Sequence, residues 1–261
     1  DYENGVPVRQ IGNRQPLWTS TLLLKDALRT QKPAVIFFEV YGATDYIEGL
    51  INSDRGENAT HLALDPLPLT PGKIMNILRT AEIRKKQEMI FPIIYNHKRV
   101  TDGSLSALDW AYLFDREANA SKGFVQSEKV RAVPKPESYP TDSDPLHPVA
   151  EKYLLELIEI CNDRNIPLVF FKTPMAATES LLRQMNGIAE FASAHDVPFI
   201  EFNRMVDEIG LDFSQDFVDD GHLNRHGAEK ISDYLGQYIK THFNMPDRRN
   251  DPAYADWASG Q

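Results

Sequence analysis

The stretch best suited to chemistry is residues 216–227, DFVDDGHLNRHG. Asp219 and His222 stand three positions apart in what reads as a loop. A carboxylate at that distance can reach back to the imidazole, hold one tautomer and leave the other ring nitrogen as a general base. Asn224 has the right side chain to cap the helix that follows. His222 and His226 are four apart, a spacing that can also present two ring nitrogens to a metal, with Asp219 as a third ligand. The glutamate base of the familiar zinc-protease pattern is absent between them, where Leu223, Asn224 and Arg225 stand. The simplest account is that Asp216, Asp219 and Asp220 only favour the positive end of the final helix.

Elsewhere the chemical signals are weaker. His97 and Arg99, within YNHKR, could meet an anionic group of a substrate or form a solvated basic turn. Lys172, at the end of an apolar run, could face a pocket or lay its stem over apolar surface. Cys161 falls on an apolar helical stripe and reads as core. Asn58-Ala59-Thr60 fits a glycosylation sequon.

The elements that must position these groups follow from the patterning. Short runs rich in Val, Ile and Phe, bounded by Pro or Gly, predict buried strands at 6–12, 34–42, 167–174 and 198–203. Three- and four-residue apolar spacing predicts helices at 19–31, 147–165, 178–195 and 224–243. Alternating strands and helices imply an α/β fold, a sandwich about a mainly parallel sheet. Residues 46–144 break the rhythm with polar loops, helices near 71–88 and 105–119, and a Pro/Ser/Asp-rich stretch. They read as an insertion between two strands of one domain spanning 1–244, and 245–261 as a mobile tail.

Composition narrows the classes of function. The 261 residues carry 28 Lys+Arg against 38 Asp+Glu, a net charge of −10. That balance argues against nucleic acid as a partner. No apolar run approaches the roughly 18–20 residues of a spanning helix. A single cysteine excludes an internal disulfide and any Cys-rich zinc site.

Asp219-Asp220-Gly221-His222-Leu223-Asn224, followed by Gly227, resembles the last block of the SGNH/GDSL hydrolases. NRQPLW (13–18), KPAVIFFEVYG (32–42) and FKTP (171–174) fit a bacterial cell-surface branch of that family. The resemblance implies a three-layer α/β/α sandwich on a flavodoxin-like sheet and a Ser-His-Asp triad without a cofactor. Carried across, Asp219 orients His222, His222 is the base, and Gly12, with Asn13 beside it, contributes to oxyanion or substrate binding. The family's serine block precedes the Gly block, and no serine stands before Gly12. Asp102-Gly103-Ser104-Leu105 echoes the GDSL name, but no apolar strand precedes it, and Ser104 and Ser20 both read as helix-start residues. The expectation is therefore a serine and a first strand upstream of Asp1, behind a membrane anchor or signal. The family's third-block asparagine has no counterpart at Glu39-Val40-Tyr41-Gly42.

The resemblance implies an esterase or O-acyltransferase acting on an acyl ester of a cell-surface glycan or polymer, outside the cytoplasm. Two alternatives stand beside it. One is an inactive SGNH-like module that binds glycan or assists a partner; the other is a metal-dependent hydrolase using Asp219, His222 and His226.

Overall fold

The computed structural model describes residues 16–44, 54–103, 127–246 and 251–252. In chain order its elements are α1 (Leu17–Ala27), β1 (Ile36–Glu39), α2 (Tyr41–Thr44), α3 (Asp54–Leu64), α4 (Pro71–Arg79), α5 (Lys86–Ile90) and α6 (Pro92–Thr101). Then come α7 (Pro148–Asn162), β2 (Leu168–Lys172), α8 (Glu179–Ala194), β3 (Phe199–Glu201), a 3-10 turn (Phe202–Arg204), β4 (Phe217–Asp219), β5 (His222–Leu223) and α9 (Arg225–His242). The expected strand at 6–12, the helix at 105–119, Gly12, Asn13, Ser104 and most of the tail lie outside the described residues.

The chain divides into two compact units. Among the described residues, one comprises 16–32 and 54–103; the other comprises 33–44, 127–246 and 251–252. Residues 54–103 thus share a unit with α1, while 127–144 group with the strands.

The second unit is built on a parallel three-stranded sheet in the order β1-β2-β3. Ile36 pairs with Leu168 and Lys172 with Glu201. Alternation along the strands sends Phe37, Val169, Phe171 and Ile200 to one face, where Ile231, Tyr234, Leu235 and Tyr238 of α9 pack against them. Phe38 and Phe170 point the other way, their ring centroids 6.2 Å apart. The fold is mixed α/β, as the patterning predicts.

The helices before β2 and β3 end by one device. Asn165 and Asp196 adopt left-handed backbone (φ 54° and 56°), a conformation short polar side chains tolerate. The next amides, of Ile166 and Val197, donate back to the carbonyls of Cys161 and Ala192, closing each helix and releasing the chain directly into a strand. Helix starts are equally local: Thr178 and Asn224 accept amides of their own first turns, and Pro148 stands at the opening position of α7.

The first unit contains α1 and α3–α6. Thr19 and Thr60 hydroxyls meet at 3.0 Å between α1 and α3, both buried. Thr60 therefore does not occupy the surface loop a glycosylation sequon requires. Lys73 of α4 turns its ammonium onto the carbonyls of Leu64 (2.6 Å) and Leu67 (3.0 Å), satisfying acceptors at the end of α3. The helix expected near 71–88 is two helices. Thr80 is extended, and the break buries Ile83, which a continuous helix would place differently. The stretch YNHKR is helical, not a basic turn: Pro92 opens α6 at its first position and supplies the starting φ.

Candidate catalytic dyad

Residues 217–223 form a short antiparallel hairpin, with Asp220-Gly221 at the turn between β4 and β5, instead of the expected loop. Asp-Gly favours tight hairpin turns. Asp219 Oδ1 accepts the Gly221 N–H at 2.9 Å and lies 2.8 Å from His222 Nδ1. The carboxylate thus fixes both the turn and the ring. Partial burial pushes the Asp219 carboxyl upward, but the Gly221 amide and the His222 ring outweigh it and hold the group below its ordinary value. The dyad stands open to solvent, with the His222 side chain 77% and the Asp219 side chain 46% exposed.

The hairpin is fixed from three sides. On the first, Arg131 N–H donates to the Phe217 carbonyl, Arg225 N–H to the Ser127 carbonyl, and the Arg225 guanidinium pairs with Glu128. Residues 127–133 therefore run alongside the hairpin. On the second, Asn224 caps α9 by accepting the Gly227 amide, while its own amide group donates to Gln215 O at 2.6 Å. The buried Asp216 receives Lys230 Nζ at 2.6 Å and Asp212 N–H at 2.7 Å. Asp216 thus has a specific cationic partner on α9, beyond any general attraction to the helix start.

The third side comes from the sheet. Ala176 N–H donates to Asp220 O at 2.8 Å. The same loop is held by Asn203, whose Nδ2 donates to Met175 O (2.7 Å) and whose Oδ1 accepts Met175 N–H (3.2 Å). Asn203 is buried just beyond β3, and Tyr139 O–H donates to its carbonyl. Its role was invisible in the sequence because both its partners lie far from it along the chain.

Lys172 sits at the end of β2, as expected, but is only 2% exposed. Its ammonium donates to Thr173 O at 2.6 Å, lies 3.5 Å from Glu39 Oε1 and stands 4.9 Å over the Tyr41 ring. Burial pushes it below the usual lysine value, with Glu39 and Glu201 opposing. Glu39 also accepts the Thr173 and Tyr41 amides. Lys172 and Glu39 therefore anchor the start of the loop that reaches the hairpin. Glu201, at the end of β3, gives Oε2 to Arg204 Nε at 2.9 Å, while its buried Oε1 has no hydrogen-bond partner. Burial raises the Glu201 carboxyl, with Arg204 and Lys172 acting against it.

His97 and Arg99 belong to the first unit, on α6. His97 is exposed, and the Arg99 guanidinium lies 5.6 Å from the Tyr95 ring centroid. His226 turns to Glu229 at 3.9 Å, and among the described residues no three His, Cys, Asp or Glu side chains gather as a metal-holding group. The third reading, a metal centre of Asp219, His222 and His226, thus has no geometric support. Cys161 is buried in α7 and its thiol is pushed up to about 11 by desolvation, as suits a core residue. No family model, curated protein or solved structure matches the chain.

Proposed function

We propose that the chain is the His-Asp portion of an SGNH/GDSL-like serine esterase or O-acyltransferase with a three-layer α/β/α fold. The observation that carries the reading is the 2.8 Å contact between Asp219 Oδ1 and His222 Nδ1, at a turn leading into the last helix. The resemblance of residues 219–227 to the family's terminal block supports the same assignment.

In this reading the nucleophile is a serine on a segment N-terminal to Asp1. Its Oγ attacks the acyl carbonyl as His222 Nε2 takes the Oγ proton, and Asp219 stabilises the imidazolium. His222 then protonates the departing alcohol. Water or an acceptor hydroxyl, deprotonated by His222, releases the acyl group, giving hydrolysis or transfer. The substrate is an acyl ester of a cell-surface glycan or polymer, handled outside the cytoplasm. The open dyad would admit a bulky ester without a preformed tunnel.

A serine-directed fluorophosphonate tests this on the polypeptide carrying the segment before Asp1. Labelling should be stoichiometric and fall at least about a hundredfold in rate in His222→Ala. An unchanged rate removes His222 from the mechanism. A second reading, an inactive glycan-binding module, is favoured by the exposure of His222 and predicts no labelling together with retention on immobilised glycan.

A further inference from the structure

Helix α6 joins its unit through one side only. Tyr95 stacks on His61 of α3, with centroids 3.7 Å apart and planes 7° from parallel, and Lys98 pairs with Glu88 of α5. No residue of α6 is buried. On the other side Ile93, His97 and Val100 follow at four- and three-residue spacing, one continuous stripe. Ile93 is 73% and Val100 62% exposed, and Phe91, just before the helix, is 51% exposed. In the same unit α4 presents Met75 and Leu78, three apart, each about half exposed. Single exposed apolar residues are ordinary; exposed apolar pairs on two helices of one unit, Ile93 and Val100 about His97 and Met75 with Leu78, are less so.

Charge identifies the occupant. Residues 69–103 hold seven Lys/Arg and three Asp/Glu, a net of +4 inside a chain of net −10. Arg79, Arg84 and Lys85 are exposed, whereas Lys73 is buried on backbone carbonyls, Lys98 is paired with Glu88 and Arg99 lies over Tyr95. A second copy of the chain would set these cations against one another across a twofold contact. A soluble polyanion would meet the cations but leave Ile93 and Val100 in water. An anionic lipid surface satisfies both, taking apolar side chains at the headgroup boundary and holding cations by its potential.

We infer that α6 and its basic surroundings form a peripheral membrane-docking face for anionic lipid bilayers. This goes beyond the proposed chemistry and does not depend on it. The test is co-sedimentation of the 261-residue chain with extruded vesicles of phosphatidylcholine, alone or with about 30% phosphatidylglycerol. Binding should be at least about tenfold stronger to the anionic vesicles and weaken with salt. Ile93→Glu with Val100→Glu should abolish it, and Arg84→Glu with Lys85→Glu should weaken it and flatten its salt dependence. All four positions are exposed, and circular dichroism melts confirm that the variants remain folded. The proposal is overturned by absence of wild-type binding, by equal binding to both vesicle types, or by retention undiminished in Ile93→Glu/Val100→Glu. A dimer in analytical ultracentrifugation that this double variant disperses would assign the face to a second copy instead and equally overturn it.

Discussion

Asp219 has two tasks in one atom: Oδ1 takes both the turn amide of Gly221 and the His222 ring. Holding Nδ1 as the donor leaves Nε2 as the acceptor when the ring is neutral. Nitrogen-detected NMR of His222 should therefore show the Nδ1–H tautomer dominating in the wild type and a shift towards the Nε2–H form in Asp219→Ala. A ratio that stays put would mean the contact does not select the tautomer. Glu201 offers a second residue-scale test. Its carboxyl is raised above the ordinary 4.5 by burial, so the folded state holds a proton that the unfolded state has already lost. Its contribution to stability is present below the ordinary value and is lost as pH rises through the folded one. Urea midpoints of the wild type should carry this falling component as pH rises above the ordinary carboxylate value, and Glu201→Gln should remove it. An identical pH profile in both proteins would contradict the assignment. The Asp219–His222 pair was legible because its partners are three residues apart. Asn203, Glu201 with Lys172, and Asp216 with Lys230 were not, because proximity there is created by the fold.

Among the elements, the caps carried most of the legible information. Thr178, His147-Pro148 and Asn224 mark three helix starts within a residue or two of where patterning sets them. The hairpin was hidden for a physical reason: strands of three and two residues show no periodicity, and β4 takes a backbone bond from Arg131, more than eighty positions upstream. The start of α9 also needs the absence of a side chain. A Cβ on Gly227 would lie 2.4 Å from the Asp216 carbonyl oxygen and 2.9 Å from Leu223 Cδ2, and a backbone carbonyl cannot yield as a side chain can. Gly227→Ala should cost about 1–3 kcal/mol in denaturant unfolding and loosen the hairpin that bears His222. Gly236→Ala, in the same helix with nothing within 4 Å, is the control and should be neutral or slightly stabilising. Equal effects at both positions would show that the Gly227 approach is not required.

At the scale of the molecule, strand–helix alternation in the second unit predicted a parallel sheet, and β1, β2 and β3 are parallel. What alternation could not reveal was the company kept by α1. Its apolar residues fit a helix covering a sheet as well as one packed on other helices, and only burial against α3 and α4 assigns it to the helical unit. Nor does periodicity say whether an apolar stripe is covered. Ile93 and Val100 obey the same rule as Leu154 and Leu157, which are buried, while they themselves face outward.

The register of the sheet has a kinetic side. Ile36 meets Leu168 across about half the chain, so β1 and β2 cannot pair until a loop of about 130 residues has closed, at an entropic cost near 4 kcal/mol. Local contacts in α7, α8 and the caps between them reward the chain much earlier. The order of assembly follows: β2 and β3 can meet across α8 alone, whereas β1 arrives last and must search. During that interval the β1-facing edge of β2, carrying Val169, Phe170 and Phe171, stands bare. Slow refolding with a concentration-dependent loss to aggregates is the behaviour such a topology imposes.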